Sequence, residues 1–142
     1  MIDIVTKALE CVANGDSYFY KYLTPNDVGS NGSNQSGVYV RMDDGKKLFP
    51  KSFRKGENVH ADIQVLWYDS KRTSLCNFIY YGKALGTEEF RITRLNRKFI
   101  TGDFLLLVLT NDEYIGFVFD SQQATDFIKT LQSLISMSNN LL

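Results

Sequence analysis

Asn31, Asn34 and Gln35 stand within residues 23 to 40, LTPNDVGSNGSNQSGVYV, a stretch in which ten residues are Gly, Ser, Asn or Gln. A side-chain amide holds a donor beside an acceptor, so it pairs bidentately with any edge that presents the reverse order, as adenine N6 and N7 do. Arg91 and Arg94, farther along in RITR, carry the planar fork that matches guanine O6 and N7. Ser30 and Ser33, with the glycines around them, are small enough to let backbone approach such edges closely. A run this polar fills no core, so its amides and hydroxyls are expected to face a polar partner. The edges of DNA base pairs fit that description.

Other residues fit supporting roles. Val38, Val40 and Met42 alternate with Tyr39 and Arg41, which predicts a strand with the phenol and the guanidinium together on the face away from the core, suited to a base or backbone contact. Lys21, Lys83, Arg97 and Lys98 suit phosphate contacts, which fix register without reading sequence. Thr87 and Glu89 lie in the segment before RITR. A carboxylate beside DNA is costly unless it accepts a hydrogen bond, so Glu89 either takes one from cytosine N4 or pairs with a nearby arginine. The plainer alternatives are packing for Tyr39 and a solvated, aggregation-resistant strand edge for the arginines.

Sixteen basic and sixteen acidic residues give no net charge, which by itself disfavours a polyanion partner. The layout is uneven. Residues 41 to 98 carry thirteen Lys or Arg against seven Asp or Glu, a balance of +6, while residues 1 to 40 sum to −2 and residues 99 to 142 to −4. A polyanion is drawn to the middle of such a chain.

The elements that must position these residues follow from periodicity. Ile2, Val5, Leu9 and Val12 predict a helix over residues 2 to 13, expected as a lid over one end of the core. Tyr18 to Leu23 predicts a strand, and Thr24-Pro25-Asn26-Asp27 a turn into the polar loop. Asp43-Asp44-Gly45 reads as a hairpin-type turn, followed by a short helix or irregular crossing anchored by Leu48, Phe49 and Phe53. Strands are predicted at Ala61 to Trp67, Leu75 to Tyr81 and Phe90 to Leu95. Phe104 to Leu109 lacks alternation, so it is expected to be covered on both faces, with Asn111-Asp112-Glu113 returning the chain to a strand at Tyr114 to Phe119. Asp120 and Gln123 cap a final helix running to about residue 137. Roughly seven short strands without long helical crossovers suit a closed or nearly closed barrel, mainly β in class, over residues 1–142 as one domain.

Catalysis by this chain is not expected. His60 is the single histidine, Cys11 and Cys76 are too few for a metal cluster, and no glycine-rich loop precedes a helix. Pro25-Asn26-Asp27 upstream of Asp44-Gly45-Lys46 imitates a metal-dependent nuclease motif, but Asn26 interrupts it and Asp44 falls in the predicted turn. No metal, no cofactor and no membrane segment are expected, and the chain reads as soluble and intracellular. A protein-interaction barrel is the alternative from a different class, and it predicts aromatic or arginine hot spots around an exposed apolar patch.

Three segments carry a resemblance: YKYLTPNDVGSNGSNQSGVYV, with its Asn-Asp-x-Gly turn, small-residue loop and Gln-x-Gly; KLFP at Lys47 to Pro50; and IYY followed by RITR at Ile79 to Tyr81 and Arg91 to Arg94. In this order they resemble the N-terminal effector DNA-binding domain of EcoRII-type restriction endonucleases, over residues 15 to about 100. The resemblance implies a plant B3-like DNA-binding pseudobarrel of seven strands with an N-terminal and a C-terminal helix. It grips the major groove between an N-arm, the first segment, and a C-arm ending in RITR. It also implies a bacterial, cytoplasmic setting in a restriction-modification system, a CC(A/T)GG-like target, and a separate C-terminal nuclease domain in the parent protein. Asn34 stands where related domains place a His, Phe90 where they place a Lys and Thr87 where they place an Arg, so binding is expected to be weaker and less salt-dependent.

Overall fold

The apolar run Phe104–Thr110 sets the layering of the molecule. In the computed structural model, which describes residues 3–29, 37–83 and 87–140, this segment is a strand with its first five residues buried. Leu105 and Leu107 enter one apolar cluster, whereas Phe104, Leu106 and Val108 enter another. Successive side chains of a strand point to opposite faces, so a strand without alternation separates two cores.

The described residues form seven strands and four helices: α1 (Ile4–Asn14), β1 (Ser17–Tyr22), α2 (Pro25–Val28), β2 (Val38–Val40), α3 (Met42–Leu48), β3 (Asn58–Trp67), β4 (Thr73–Tyr81), β5 (Glu89–Thr93), β6 (Phe104–Thr110), β7 (Glu113–Phe119) and α4 (Ser121–Asn140). The strands make one curled, half-barrel sheet in the order β1-β6-β7-β3-β4-β5-β2. Every ladder is antiparallel except β3 with β7. Asn111 and Asp112, with φ of 50° and 64°, make the tight return between β6 and β7 that left-handed Asn and Asp permit. The fold is mainly β with flanking helices, the pseudobarrel that the resemblance implies, with β1 and β2 as the edges of the sheet.

The inner core is aromatic. Phe49, Phe53, Phe78, Tyr80 and Phe90 pack with ring centroids 4.5 to 5.9 Å apart, and such pairs contribute about 0.5–1.5 kcal/mol each beyond the area they bury. The outer core lies between the other face of β1, β6 and β7 and the two terminal helices. Val5 and Ala8 of α1 meet Ala124, Phe127 and Leu131 of α4 over Phe104, Phe117 and Phe119. The N-terminal helix is therefore not a lid on the barrel end. Its apolar stripe is matched by that of α4, and the pair covers the outside of the sheet.

Two other expectations are corrected. The strand after the polar loop stops at Val40, and Arg41 becomes the N-cap residue of α3. Asp43-Asp44-Gly45 is accordingly not a turn but the body of that helix. Asp43 and Asp44 lie in its first turn and Lys46 and Lys47 in its last, the order that complements a helix dipole. Helix α3 also needs Gly45, because a Cβ there would come 2.1 Å from the Phe90 ring. Its C-terminal end is fastened where the Tyr114 hydroxyl donates to the Leu48 carbonyl at 2.7 Å and Ser17 donates to the Lys47 carbonyl.

Candidate nucleic-acid interface

The root of the N-arm is built from Thr24 to Gly29. These residues read as a turn, but they close one helical turn, α2, because Thr24 and Asp27 cap each other reciprocally and Pro25 opens the helix. Gly29 ends it at φ 74°, a conformation glycine adopts without a Cβ penalty. Asp27 is only 4 % exposed. One of its oxygens accepts the Thr24 N–H at 2.9 Å and the Lys21 ammonium at 2.8 Å, and the other accepts the Tyr39 N–H at 3.1 Å. Burial pushes the Asp27 carboxyl up, but the Lys21 ammonium and the hydrogen bonds from Thr24 and Tyr39 outweigh it and hold the group below the usual carboxylate range.

Strands β1 and β2 are the two edges of the sheet, and Lys21 spans the seam between them. Besides Asp27, its ammonium donates to the Tyr39 carbonyl at 3.2 Å and lies 5.6 Å from the Tyr39 ring. Its described partners, Asp27 and Tyr39, both lie within the domain.

On the far side of β2, the β2–β5 ladder sets Tyr39 directly opposite Arg91. Val40 and Phe90, one step on, are buried in the inner core, so Tyr39 and Arg91 share the outward face. Tyr39 is 37 % exposed. Arg91 Nε lies 3.3 Å from a Glu89 carboxylate oxygen, which joins the two residues read as guanine and cytosine contacts into one ion pair. Phe90 points inward between them, at a position where a lysine would be buried.

The C-arm leaves the other end of the same ladder. Asn58 Oδ1 accepts the N–H groups of Gly82 and Lys83, each at 3.1 Å, and the buried Tyr80 hydroxyl donates to Glu88. Burial, followed by the Glu88 carboxylate, pushes the Tyr80 phenol up to about 12. Lys83 and Thr87 are exposed at this root. Residues 84–86 lie outside the described residues, as do Ser30, Asn31, Ser33, Asn34 and Gln35 of the N-arm. The N-arm re-enters the sheet at Gly37 and Val38, beside Ile92 at the end of β5; the C-arm enters at Glu89, its beginning. At 3.3 Å per residue, the three steps along β5 from Glu89 to Ile92 hold these roots ~10 Å apart.

RITR is divided by the end of β5. Arg91 sits within the ladder, whereas Arg94 lies beyond the end of β5, exposed and at φ 59°. Arg94, Arg97 and Lys98 line a cleft of about 370 Å³ with Asp27 and Val28 of the N-arm root. Arg97, expected at a phosphate, makes a two-pronged pair with Asp69 at 3.0 and 2.9 Å and stacks 4.7 Å from the Trp67 centroid. The Arg97 guanidinium holds the Asp69 carboxyl below its ordinary range. Lys98 is exposed. Arg41 is exposed as well and pairs with Asp44 of its own helix at 3.2 Å.

Four residues that organise this surface, Asp27, Asn58, Asp69 and Glu88, were not anticipated. Thr24-x-x-Asp27 does carry a capping signature; the partners of the other three come from the fold and leave no local signal. His60 is exposed, with its ring 3.2 Å from the Asn77 amide. Among the described residues no cluster of three His, Cys, Asp or Glu could hold a metal ion, and no helix is long and apolar enough to cross a membrane.

Among known families, the one described as "Restriction endonuclease EcoRII, N-terminal" matches residues 13–125. No curated protein and no solved structure matches the chain significantly. The family match spans the sheet, both arm roots and the start of α4, so the chain belongs to the N-terminal effector DNA-binding domains of EcoRII-type restriction endonucleases.

Proposed function

We propose that residues 1–142 act as the target-recognition domain of a restriction endonuclease, binding double-stranded DNA sequence-specifically with two arms in the major groove and leaving cleavage to a separate nuclease domain. The observation that carries this reading is the placement of the arm roots at opposite ends of the β2–β5 ladder. Their ~10 Å separation along the strand is comparable with the ~12 Å width of the B-DNA major groove. Tyr39, Glu89 and Arg91 lie on the outward face between them. Asn31, Asn34 and Gln35 would read bases from the first arm, with Ser30 and Ser33 admitting close backbone approach. Arg91 and Arg94 would read guanine, and Lys83, Lys98 and Arg41 would contact phosphates. A CC(A/T)GG-like target suits this set, because G·C pairs dominate it and amides serve its central A·T pair.

Selection from a random duplex library at ~0.1 M salt, near physiological ionic strength, tests the reading. A single enriched motif bound without added metal and left uncut is the expected result. Failure to enrich any motif, or metal-dependent cleavage by the purified chain, would overturn it.

A further inference from the structure

The Lys21–Asp27 pair has a geometry that a phosphate contact does not require. An ammonium has three donors. One meets Asp27 at 2.8 Å and another the Tyr39 carbonyl at 3.2 Å, while the Tyr39 ring lies 5.6 Å away. Asp27 returns the link by accepting the Tyr39 N–H at 3.1 Å. Both backbone polar groups of Tyr39 are thus held by one ion pair that begins on β1 and passes through α2. Tyr39 faces Arg91, and the polar loop is strung between α2 and β2. The pair fixes both ends of that loop relative to the face on which Arg91 lies.

We propose that Lys21 and Asp27 are positioning residues that set the N-arm for base reading, and that neither contacts DNA. The proposal rests on the DNA-binding reading above and assigns this ion pair a task within it. Charge balance separates the two roles of Lys21. A lysine that neutralises a phosphate releases a counterion and adds about one unit to the salt slope of binding. A lysine already neutralised by a buried carboxylate releases none, so it changes affinity through geometry alone.

The experiment compares the wild-type domain with Lys21→Met and with Asp27→Asn. Binding to the selected duplex and to a scrambled duplex of equal length is titrated over a range of salt, and amide hydrogen exchange is measured on the free proteins. In both variants the Tyr39 amide is expected to exchange faster, affinity for the selected duplex to fall at least tenfold, and the scrambled duplex and the salt slope to change little. A slope reduced by about one unit on both duplexes would make Lys21 a phosphate contact and overturn the proposal. Unchanged Tyr39 exchange would overturn it too, because the pair would then not be holding β2. Faster exchange with unaltered discrimination would reduce the pair to a stabilising ion pair. If the wild-type domain selects no duplex, the DNA reading falls and the positioning role with it, whatever the exchange data give. Lys21→Arg keeps the charge and the donors, and its recovery of both readouts guards against simple misfolding of the other variants.

Discussion

Tyr39 and Arg91 oppose each other across the β2–β5 ladder, with the Arg91 guanidinium paired to Glu89 on the same face. The Arg91 side chain is 14 % exposed, so its direction is already restricted by the fold, which lowers the ordering cost of any contact it makes. Arg91→Ala is expected to weaken binding to the selected duplex by ~1–3 kcal/mol and to relax preference at one base pair. The check is a binding titration against duplexes varied one position at a time. An unchanged affinity would remove Arg91 from the site.

Lys98 and Lys83 differ from Arg91 because both are exposed and neither is described with an ion-pair partner. Lys98→Ala or Lys83→Ala should weaken binding to every duplex alike and lower the salt slope by about one unit. Titration at several salt concentrations, on selected and scrambled duplexes, reads both effects. Loss confined to one sequence would instead mark the residue as a base reader.

Arg97 illustrates what a basic cluster in the chain leaves unread, the partner on which its fork closes. In sequence it belongs to a basic cluster; in the fold its fork closes on Asp69, 28 residues earlier, over the Trp67 and Phe99 rings. Lys21 is a similar case. Short-range pattern did identify β6 as two-faced, the capping of α4, where Asp120 and Gln123 bond reciprocally, and the strand that carries Tyr39. It failed at α3, because Asp-Asp-Gly is turn-like by propensity and becomes helical only where Gly45 can lie against Phe90. Tertiary packing decided that segment over local preference.

Arg97→Gln separates stability from phosphate binding. Glutamine removes both the charge and the planar fork, so a stability loss of about 1 kcal/mol is expected from the lost ring contact, with an unchanged salt slope, whereas a phosphate contact would lower that slope by about one unit. Urea denaturation supplies the first quantity and salt titration the second. An unaltered urea midpoint would mean that the Asp69 pair and the ring contacts contribute nothing.

The acid limb of stability should depend on Asp27 and Asp69. For Asp27, burial opposes ionisation but hydrogen bonding and the Lys21 ammonium prevail; for Asp69, hydrogen bonding to Arg97 leads. Both carboxyls are lowered in the folded state. A lowered folded value means that the unfolded chain binds protons first. The contribution is therefore complete above the unfolded value of ~3.9 and is lost as pH falls through the folded values. Wild-type urea midpoints are expected to drop steeply below about pH 4, and those of Asp27→Asn and Asp69→Asn, lower at neutral pH, to drop less. Parallel curves for wild type and variants would show that neither carboxylate is coupled to folding.

Gly45→Ala sets two effects of opposite sign against each other. Glycine within a helix is disfavoured by ~1 kcal/mol relative to alanine, so propensity alone predicts stabilisation of α3. The new methyl, however, would stand 2.1 Å from one Phe90 ring carbon and 2.5 Å from another. Phe90 is fully buried and is in ring contact with Phe49, Phe53, Phe78 and Tyr80, so it has no open side to move into. Overpacking of this kind costs ~1–3 kcal/mol, which exceeds the propensity gain over most of its range. Net destabilisation is the expected outcome, read as a lower urea midpoint at constant slope. Because Phe90 lies between Glu89 and Arg91 in β5, any displacement of its ring passes to the outward face, so the same variant should also discriminate less between selected and scrambled duplexes. A more stable Gly45→Ala protein would show that α3 is free to move off the ring and that it does not brace β5.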